Sequence, residues 1–179
     1  MLNIKFDKKI IKKYDINCPR YTSYPTAIKF IIFTKKNKIK KIFQITKNSL
    51  SIYIHIPFCK NLCYYCACNK IITKNNNYSN YYLILLKKEI KLKKIYINFT
   101  KKIEQINLGG GSPSYLNQIQ LIKLLTLIKK YFTIKNNKNS SIELDPRNIL
   151  LSYISLIKNL AFAKASIGIQ DFNIQVQKA

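Results

Sequence analysis

The sequence predicts an α/β protein built on a parallel sheet, half or more of a barrel of alternating strands and helices. Three observations lead to this fold class. Short apolar runs alternate with longer stretches of helical periodicity after residue 50, each run ends at a proline, glycine or acidic residue, and the unusual motifs all follow the runs. Parallel strands joined by helices place their carboxyl ends at one edge of a sheet, so these motifs would lie together.

Four apolar runs have the length and composition of strands. The first, SIYIHI, is stopped by Pro57, which cannot donate a hydrogen bond to a strand ladder. The second, QINL, is cut off by the glycines at 109–111, and the third, SIEL, ends at Asp145 and Pro146. The four predicted strands are residues 51–56, 105–108, 141–144 and 165–170.

Three helices are predicted between these strands, because apolar residues recur there at spacings of three and four. They cover residues 78–97, 117–131 and 147–160, the last opened by Pro146. The result is about four βα units. The chain ends nine residues after Gln170, so the last strand is expected to be an unpaired edge without a covering helix, and the barrel to be incomplete.

The chain is predicted to have two parts, an N-terminal extension (1–50) that contains the motif CPRYTSYPTA and an incomplete barrel domain (51–179). A hydrophobic content of 47% argues against wholesale disorder. No stretch approaches the roughly 18 apolar residues of a membrane span, and the charges near the N-terminus interrupt any secretory signal. We therefore expect a soluble, cytoplasmic protein with no membrane partner.

The formal charge of +25 would ordinarily indicate nucleic acid as a partner. Only Arg20 and Arg147 among the 32 basic residues are arginine, the side chain best suited to phosphate and base recognition. The lysines are spread over every segment together with many Asn, Ile and Tyr, a composition typical of an adenine- and thymine-rich genome. We expect no nucleic-acid partner; a basic nucleic-acid-binding protein with a cysteine-held metal remains the alternative.

Four of the five cysteines lie within ten residues, which favours a metal or cluster site in a reducing compartment over a disulfide framework. Cys59, Cys63 and Cys66 are spaced C-x3-C-x2-C. Cubane clusters usually take four thiolates, so three would leave one iron open for a ligand, as in radical S-adenosylmethionine (SAM) enzymes. Structural zinc is the alternative. Cys68 is expected to face away from Cys66, and the isolated Cys18 to be structural.

Two further features follow the strands. The GGGSP turn that begins at Gly109 could approach a ligand closely or hold an anion with its amides, although a plain tight turn would look the same. Glu143 lies in a strand of Ile and Leu, where a carboxylate needs a partner: a ribose hydroxyl, a ligand ammonium or a lysine. His55, the single histidine, could serve the cluster loop or be a hydrogen-bonded core residue.

Five blocks of the sequence resemble the oxygen-independent coproporphyrinogen III oxidase family. They are CPRYTSYPTA (18–27), YIHIPFCKNLCYYCACNK (53–70), LGGGSPSYL (108–116), SIELDPR (141–147) and SIGIQDFNIQVQKA (166–179). They occur in order over nearly the whole chain. The early block, and Cys68 where the related haem-chaperone branch typically has an aromatic residue, favour the oxidases; a haem-chaperone-like protein remains the second alternative.

The resemblance implies a partial radical SAM barrel of six strands, of which this chain contains about four βα units. It also implies one [4Fe–4S] cluster, held by Cys59, Cys63 and Cys66, and two SAM molecules. The residues matched to the first SAM are Tyr53, Gly110 and Glu143. Those matched to the second are Tyr65, Gly111, Ser112 and Gln170.

The implied reaction converts two propionate side chains of coproporphyrinogen III to vinyl groups. A radical derived from SAM removes a β-hydrogen, carbon dioxide leaves, and a terminal acceptor takes the remaining electron; a separate donor reduces the cluster. No side chain is assigned a catalytic role beyond cofactor binding, and a monomer is expected. Leu108 replaces an aromatic residue usual in the family, and the family's members are much longer than this chain.

Overall fold

The structure, a computed structural model, describes residues 7–15, 49–64, 66–97, 102–135, 139–169 and 171–178. The chain divides into two units, residues 1–37 and 38–179. In the first unit the described element is helix α1 (Lys8–Tyr14), whose first turn is capped by the Asp7 carboxylate. The motif CPRYTSYPTA, with Cys18, lies outside the described residues.

The second unit alternates strands and helices as the sequence predicts. Its elements in chain order are β1 (Leu50–Ile56), β2 (Phe58–Cys59), β3 (Ile71–Ile72), α2 (Asn77–Lys94), β4 (Ile103–Gly110), α3 (Gln118–Tyr131), β5 (Ser141–Leu144), α4 (Leu151–Asn159), β6 (Lys164–Ile167) and α5 (Ile174–Lys178). Short 3-10 turns follow β4 (Pro113–Tyr115) and β5 (Pro146–Asn148). None of the helices in the described ranges is both long and apolar enough to cross a membrane.

The main sheet has the strand order β1-β4-β5-β6, and every neighbouring pair is parallel. Each successive strand of the main sheet is therefore added at the same edge, next to the strand before it, as in a βα barrel. In the register of β1 and β4, His55 lies opposite Gly109 and Ile56 opposite Gly110. The predicted α/β fold with a partial barrel is confirmed, and the carboxyl ends of its strands meet at one edge.

The two faces of this sheet differ sharply, because successive strand residues point to opposite sides. The apolar face is buried with the helices in one core, and it consists of Ile54, Ile56, Ile106, Leu108, Ile142 and Leu144. Helices α2 and α3 supply the facing leucines, with Leu124 fully buried. The polar face consists of Tyr53, His55, Gln105, Asn107, Ser141 and Glu143, all exposed or half-buried.

Three elements differ most clearly from the prediction. Strand β4 is not stopped by its glycines but continues through Gly109 and Gly110. The helix predicted at 147–160 is divided, because the Asp145 carboxylate caps the amide of Arg147 in a 3-10 turn, and Leu150 is extended before α4 begins. Strand β6 ends at Ile167, and all four of its residues are exposed, as expected of an uncovered edge.

Candidate functional site

The cysteine loop leaves the carboxyl end of β1 and is closed at its base by β2 and β3. These two short strands pair in parallel. The amide of Ile71 donates to the carbonyl oxygen of Pro57 at 2.6 Å, and the amide of Thr73 donates to that of Cys59 at 2.9 Å. The described residues between β2 and β3 therefore belong to a loop with a hydrogen-bonded base. The sequence offered no separate signal for so short a strand pair.

Cys59, Cys63 and Cys66 are free, half-buried thiols on or beside this loop. The amide of Cys66 donates to the carbonyl oxygen of Cys63 at 3.0 Å, which folds the second half of the motif into a turn. Burial, followed by the negative charge of Cys66 and Cys63, raises the pKa of the Cys59 thiol. Negative charge on either neighbouring thiol therefore acts on the Cys59 sulfur.

Within the described part of the chain, no three His, Cys, Asp or Glu side chains are gathered closely enough to hold a metal ion. Ligands of this kind commonly converge only when the metal binds, because the metal offsets their mutual repulsion. The donor chemistry nonetheless fits an iron–sulfur cluster, since three accessible thiols share one loop whose base is closed.

Cys68 does not face away from Cys66, so this expectation is wrong. The two thiols are hydrogen-bonded, and the backbone amide of Cys68, with the ammonium of Lys70, lowers the pKa of Cys66. Lys70 also donates to the carbonyl oxygen of Cys66 at 2.7 Å. Residues two apart point to the same side of an extended backbone, so the spacing of Cys66 and Cys68 was itself the signal that their thiols would lie together.

The glycine turn packs directly on the cysteine loop. Gly110 has a φ of 122°, and a Cβ there would lie 2.9 Å from His55 Nδ1 and from the backbone of Ile56. A Cβ on Gly111 would lie 2.9 Å from Cys59 Sγ, and the Gly111 amide donates to the carbonyl oxygen of Ile56 at 2.9 Å. These glycines therefore do more than turn the chain, because any side chain would separate β4 from Cys59.

Glu143 reaches this glycine turn from β5. Its carboxylate accepts a hydrogen bond from the amide of Gly110 at 3.2 Å and lies 3.0 Å from where a Cβ on Gly109 would be. The carboxylate is exposed on the polar face, because its neighbours Ile142 and Leu144 take the buried positions. No lysine pairs with it among the described residues. Glu143 thus keeps lone pairs for a ligand ammonium or hydroxyl.

Tyr53 and His55 lie beside Glu143 on the polar face. The Tyr53 hydroxyl is 3.4 Å from His55 Nδ1, and His55 Nε2 is 2.8 Å from the carbonyl oxygen of Asn69 on the cysteine loop. Partial burial, then the charges of Glu143 and Cys68, raise the pKa of the Tyr53 hydroxyl. The histidine is half-buried and hydrogen-bonded, and it links β1 to the end of the cysteine loop.

Two networks of polar side chains at this edge were not predicted from the sequence, although some of their members were named there. The first is centred on Asn107, whose side-chain oxygen accepts from Ser141 Oγ at 2.7 Å and from Gln105 Nε2 at 3.0 Å, so that β4 and β5 are joined across the polar face. Alternation in β4 could have indicated it, since Gln105 and Asn107 alternate with buried Ile106 and Leu108.

The second network runs from the glycine turn to the cysteine loop. Ser112, which is buried, bonds through its hydroxyl to Ser114 Oγ at 2.8 Å, and Ser114 accepts from the amide of Asp145 at 3.0 Å. Arg147 binds the Asp145 carboxylate with Nε at 2.8 Å and Nη2 at 2.7 Å, while its Nη2 lies 3.8 Å from Cys63 Sγ. Because the chain has only two arginines, Arg147 itself could have been noticed in the sequence, although its contacts could not.

The structure thus brings together most of the predicted site residues. Cys59 lies against Gly111, Glu143 against Gly109 and Gly110, and Tyr53 beside Glu143. The hydroxyl of Ser112 is turned toward Ser114 instead. Tyr65 and Gln170 lie outside the described residues.

Comparison with known proteins agrees with this arrangement. Residues 53–179 match the model of the radical SAM superfamily. The oxygen-independent coproporphyrinogen III oxidase of Pseudomonas aeruginosa is 38% identical over 98% of this chain and 39% of its own length. That of Mannheimia haemolytica is 38% identical over 82% of this chain and 100% of its own length.

A solved structure is similar as well. The coproporphyrinogen III oxidase of Escherichia coli, described as a radical SAM enzyme, superposes with a TM-score of 0.81 at 36% identity, covering 98% of this chain and 39% of that one. The chain spans about two fifths of the length of most of the curated relatives that it matches.

Proposed function

This chain belongs to the radical SAM superfamily and, within it, to the oxygen-independent coproporphyrinogen III oxidase family, and from that premise we propose that it forms the cluster-bearing part of an enzyme that decarboxylates coproporphyrinogen III to protoporphyrinogen IX. The observation on which this proposal chiefly rests is the meeting of the cysteine loop with the glycine turn, where Cys59 Sγ lies against Gly111 at the carboxyl ends of β1 and β4. The thiols of the cysteine loop and the backbone amides of the glycine turn therefore lie together at the carboxyl edge of the sheet.

In this proposal Cys59, Cys63 and Cys66 hold a [4Fe–4S] cluster and leave one iron open to SAM. Such a cluster would supply the reductive cleavage of SAM from which the radical for the decarboxylation comes. The chain's own part is to hold the cluster at the sheet edge. The amide of Cys68 and the ammonium of Lys70 assist by lowering the pKa of Cys66, which favours the thiolate that binds iron.

The first SAM would be held by Tyr53, Gly110 and Glu143. The support is geometric: the Glu143 carboxylate is exposed, oriented by the Gly110 amide and unpaired with any lysine among the described residues. A carboxylate in this state can accept from an ammonium or from ribose hydroxyls. The Tyr53 ring, 60% exposed, offers an apolar surface beside it.

A second SAM, held by Tyr65, Gly111, Ser112 and Gln170, is proposed from the family resemblance. Ser112 would have to release Ser114 or accept through its remaining lone pair, because its hydroxyl is already hydrogen-bonded. The substrate has several carboxylates, and the charge of +25 would attract it.

The remaining elements of the proposal concern the cell. We expect an electron donor that reduces the cluster, a terminal acceptor for the product electron, a monomeric protein and a cytoplasmic location, where the free thiols stay reduced. The division into an extension (1–50) and a barrel domain (51–179) is proposed on the same resemblance.

Anaerobic reconstitution with iron and sulfide tests the cluster directly. We expect about one cluster per chain, seen as a brown chromophore and by EPR spectroscopy after reduction, and we expect Cys63→Ala to abolish it. Cys18→Ala is the matched control, because it removes a thiol outside the triad and should leave the cluster content unchanged.

The reaction is tested in a second experiment with the reconstituted chain, dithionite and SAM. Release of 5′-deoxyadenosine that depends on Glu143, together with loss of coproporphyrinogen III carboxylates, supports the proposal. A wild-type chain that forms no cluster but binds zinc tightly, with salt-dependent binding to DNA, would instead support the nucleic-acid-binding alternative. A cluster and 5′-deoxyadenosine release without any decarboxylation would contradict the assigned substrate for this chain.

A further inference from the structure

The guanidinium of Arg147, in the turn that follows β5, contacts a thiol of the cysteine loop. Its Nη2 lies 3.8 Å from Cys63 Sγ, within reach of a hydrogen bond to the large sulfur atom. Arg147 lies in the 3-10 turn after β5, 84 residues from Cys63 in the chain. The end of β5 is therefore linked to the middle of the proposed three-thiol motif.

The position of this guanidinium is set by Asp145. Both carboxylate oxygens of Asp145 accept from Arg147, one from Nε at 2.8 Å and the other from Nη2 at 2.7 Å, which is the planar two-point geometry that favours arginine over lysine. Asp145 is itself held by its amide, which donates to Ser114 Oγ at 3.0 Å. The Asp145 side chain is 20% exposed and that of Arg147 49%, so the carboxylate is the more firmly held member of the pair.

The composition of the chain adds a second argument. Lysine supplies nearly all of the 32 basic residues, so a positive charge alone would be expected to come from lysine here too. A lysine ammonium could not bind both oxygens of Asp145 in a plane and also reach Cys63. Arginine therefore fits a role at this position that requires a planar guanidinium with several N–H donors.

We propose that Arg147 is a positioning residue for Cys63: fixed by Asp145, it donates a hydrogen bond to the Cys63 sulfur and so raises the reduction potential of the cluster that this sulfur would hold. The proposal rests on the proposed function, since it needs the cluster. Reduction adds negative charge to the cluster and its sulfurs, and a donor or a cation beside a ligating sulfur stabilises that added charge.

The test is an anaerobic EPR-monitored redox titration of the reconstituted 179-residue chain and its variants. Arg147→Gln removes both the positive charge and the planar guanidinium. We expect it to lower the reduced-to-oxidised ratio at the wild-type midpoint about tenfold, a shift of about 59 mV for a one-electron couple. Arg147→Lys keeps the positive charge but not the two-point geometry, and should shift the ratio in the same direction by a smaller factor.

Lys60→Gln is the matched control. Lys60 is on the same loop and near enough to Asp145 to lower the pKa of that carboxyl, but no contact between its ammonium and a thiol is present in the described structure. It should change the ratio less than twofold. A shift by Lys60→Gln as large as that of Arg147→Gln would overturn the proposal, because general charge would then explain both.

Other outcomes also decide the matter. A full complement of cluster in Arg147→Gln with a wild-type midpoint would overturn this inference alone and leave the proposed function intact. Should Arg147→Gln assemble no cluster, Arg147→Lys replaces it, and a wild-type midpoint in that variant would overturn the inference. Absence of a cluster from the wild-type chain would overturn the proposed function and this inference together.

Discussion

The two faces of the main sheet are made by alternate residues of the same strands, yet they have different tasks. The apolar face joins the strands to α2 and α3 in a core in which Ile56 and Ile142 are fully buried. The polar face has Tyr53 and Glu143 in exposed positions. Side-chain hydrogen bonds, such as that from Ser141 to Asn107, join its strands. Adjacent residues such as Ile142 and Glu143 therefore differ in burial: the first is in the core and the second is exposed to solvent.

This difference shows how the chain separates stability from chemistry. Burial of apolar area is the main favourable term in folding, and on this sheet it is supplied by one face. The other face can then keep carboxylate, hydroxyl and imidazole groups that would be unfavourable in a core. Substitutions on the apolar face should change the free energy of unfolding strongly, whereas those on the polar face should change it weakly.

The largest effect is expected for Leu108→Ala on the apolar face. Leu108 is 1% exposed in the central region of the sheet, so truncation leaves a cavity and should lower the free energy of unfolding by about 2–5 kcal/mol. Urea denaturation followed by circular dichroism measures it. The control Leu151→Ala, at a position 87% exposed, should change it by less than about 0.5 kcal/mol. Similar losses in both variants would contradict the assignment of the core.

The next effect is expected where β4 meets the cysteine loop. Gly110→Ala should lower the free energy of unfolding by about 1–3 kcal/mol, because its φ of 122° is unfavourable for alanine and the new methyl group would meet the Ile56 backbone. Gly109→Ala is the control, since its methyl group would meet only the movable carboxylate of Glu143 and the φ is ordinary. Thermal unfolding of both variants compares them; equal losses would show that the close approach does not matter.

A smaller effect is expected from the polar network across β4 and β5. Asn107→Ala removes the acceptor of Ser141 and Gln105 and should lower the free energy of unfolding by about 0.5–1.5 kcal/mol. A double-mutant cycle with Ser141→Ala separates the bond from the general effect of each change. Strict additivity of the two substitutions would mean that the hydrogen bond does not stabilise the sheet.

The smallest effect is expected from the pair of Asp145 and Arg147. The hydrogen bonds from Arg147 hold the pKa of the Asp145 carboxyl below its usual value. A carboxyl whose folded pKa is depressed stabilises the fold above the unfolded value of about 3.9, and this contribution is lost as pH falls through the folded value. Wild type should therefore exceed Asp145→Asn by about 0.2–1 kcal/mol near neutral pH, with the advantage disappearing in acid.

Urea denaturation of both proteins over a pH series measures this prediction. Arg147→Gln should remove the same acid dependence, because it takes away the partner that depresses the pKa of Asp145. An advantage of wild type that stays constant into strong acid would instead indicate packing or capping by residue 145 as the cause.

Periodicity predicted most of the fold, since each predicted strand and helix lies at or near an observed one. The third strand, residues 141–144, agrees at both ends. The predicted boundaries were wrong where hydrophobicity did not decide them. The Asp145 side chain caps a separate turn. Gly109 and Gly110 stay in β4 because their backbone pairs with the last residues of β1. The pair β2 and β3 is too short for any pattern to indicate.

The candidate site was predicted in its composition better than in its contacts. Cysteine spacing and the positions of the glycines and Glu143 indicated which residues meet at the sheet edge. The lysine partner considered for Glu143 is not found among the described residues, and Cys68 was expected on the wrong side of the loop. The link between Arg147 and Cys63 crosses 84 residues, and a single sequence contains no signal for such a contact.

Local patterns in the chain specify the order of strands and helices, the face of the sheet that enters the core, and the thiols, glycines and carboxylate at the strand ends. They do so because side-chain alternation, helical spacing and turn chemistry act over a few residues. Three contacts depend instead on the assembled sheet: Gly111 lies against Cys59, Glu143 accepts from Gly110, and Arg147 reaches Cys63. Parallel strand pairing brings distant residues to one edge, and that register is set by packing of the whole sheet.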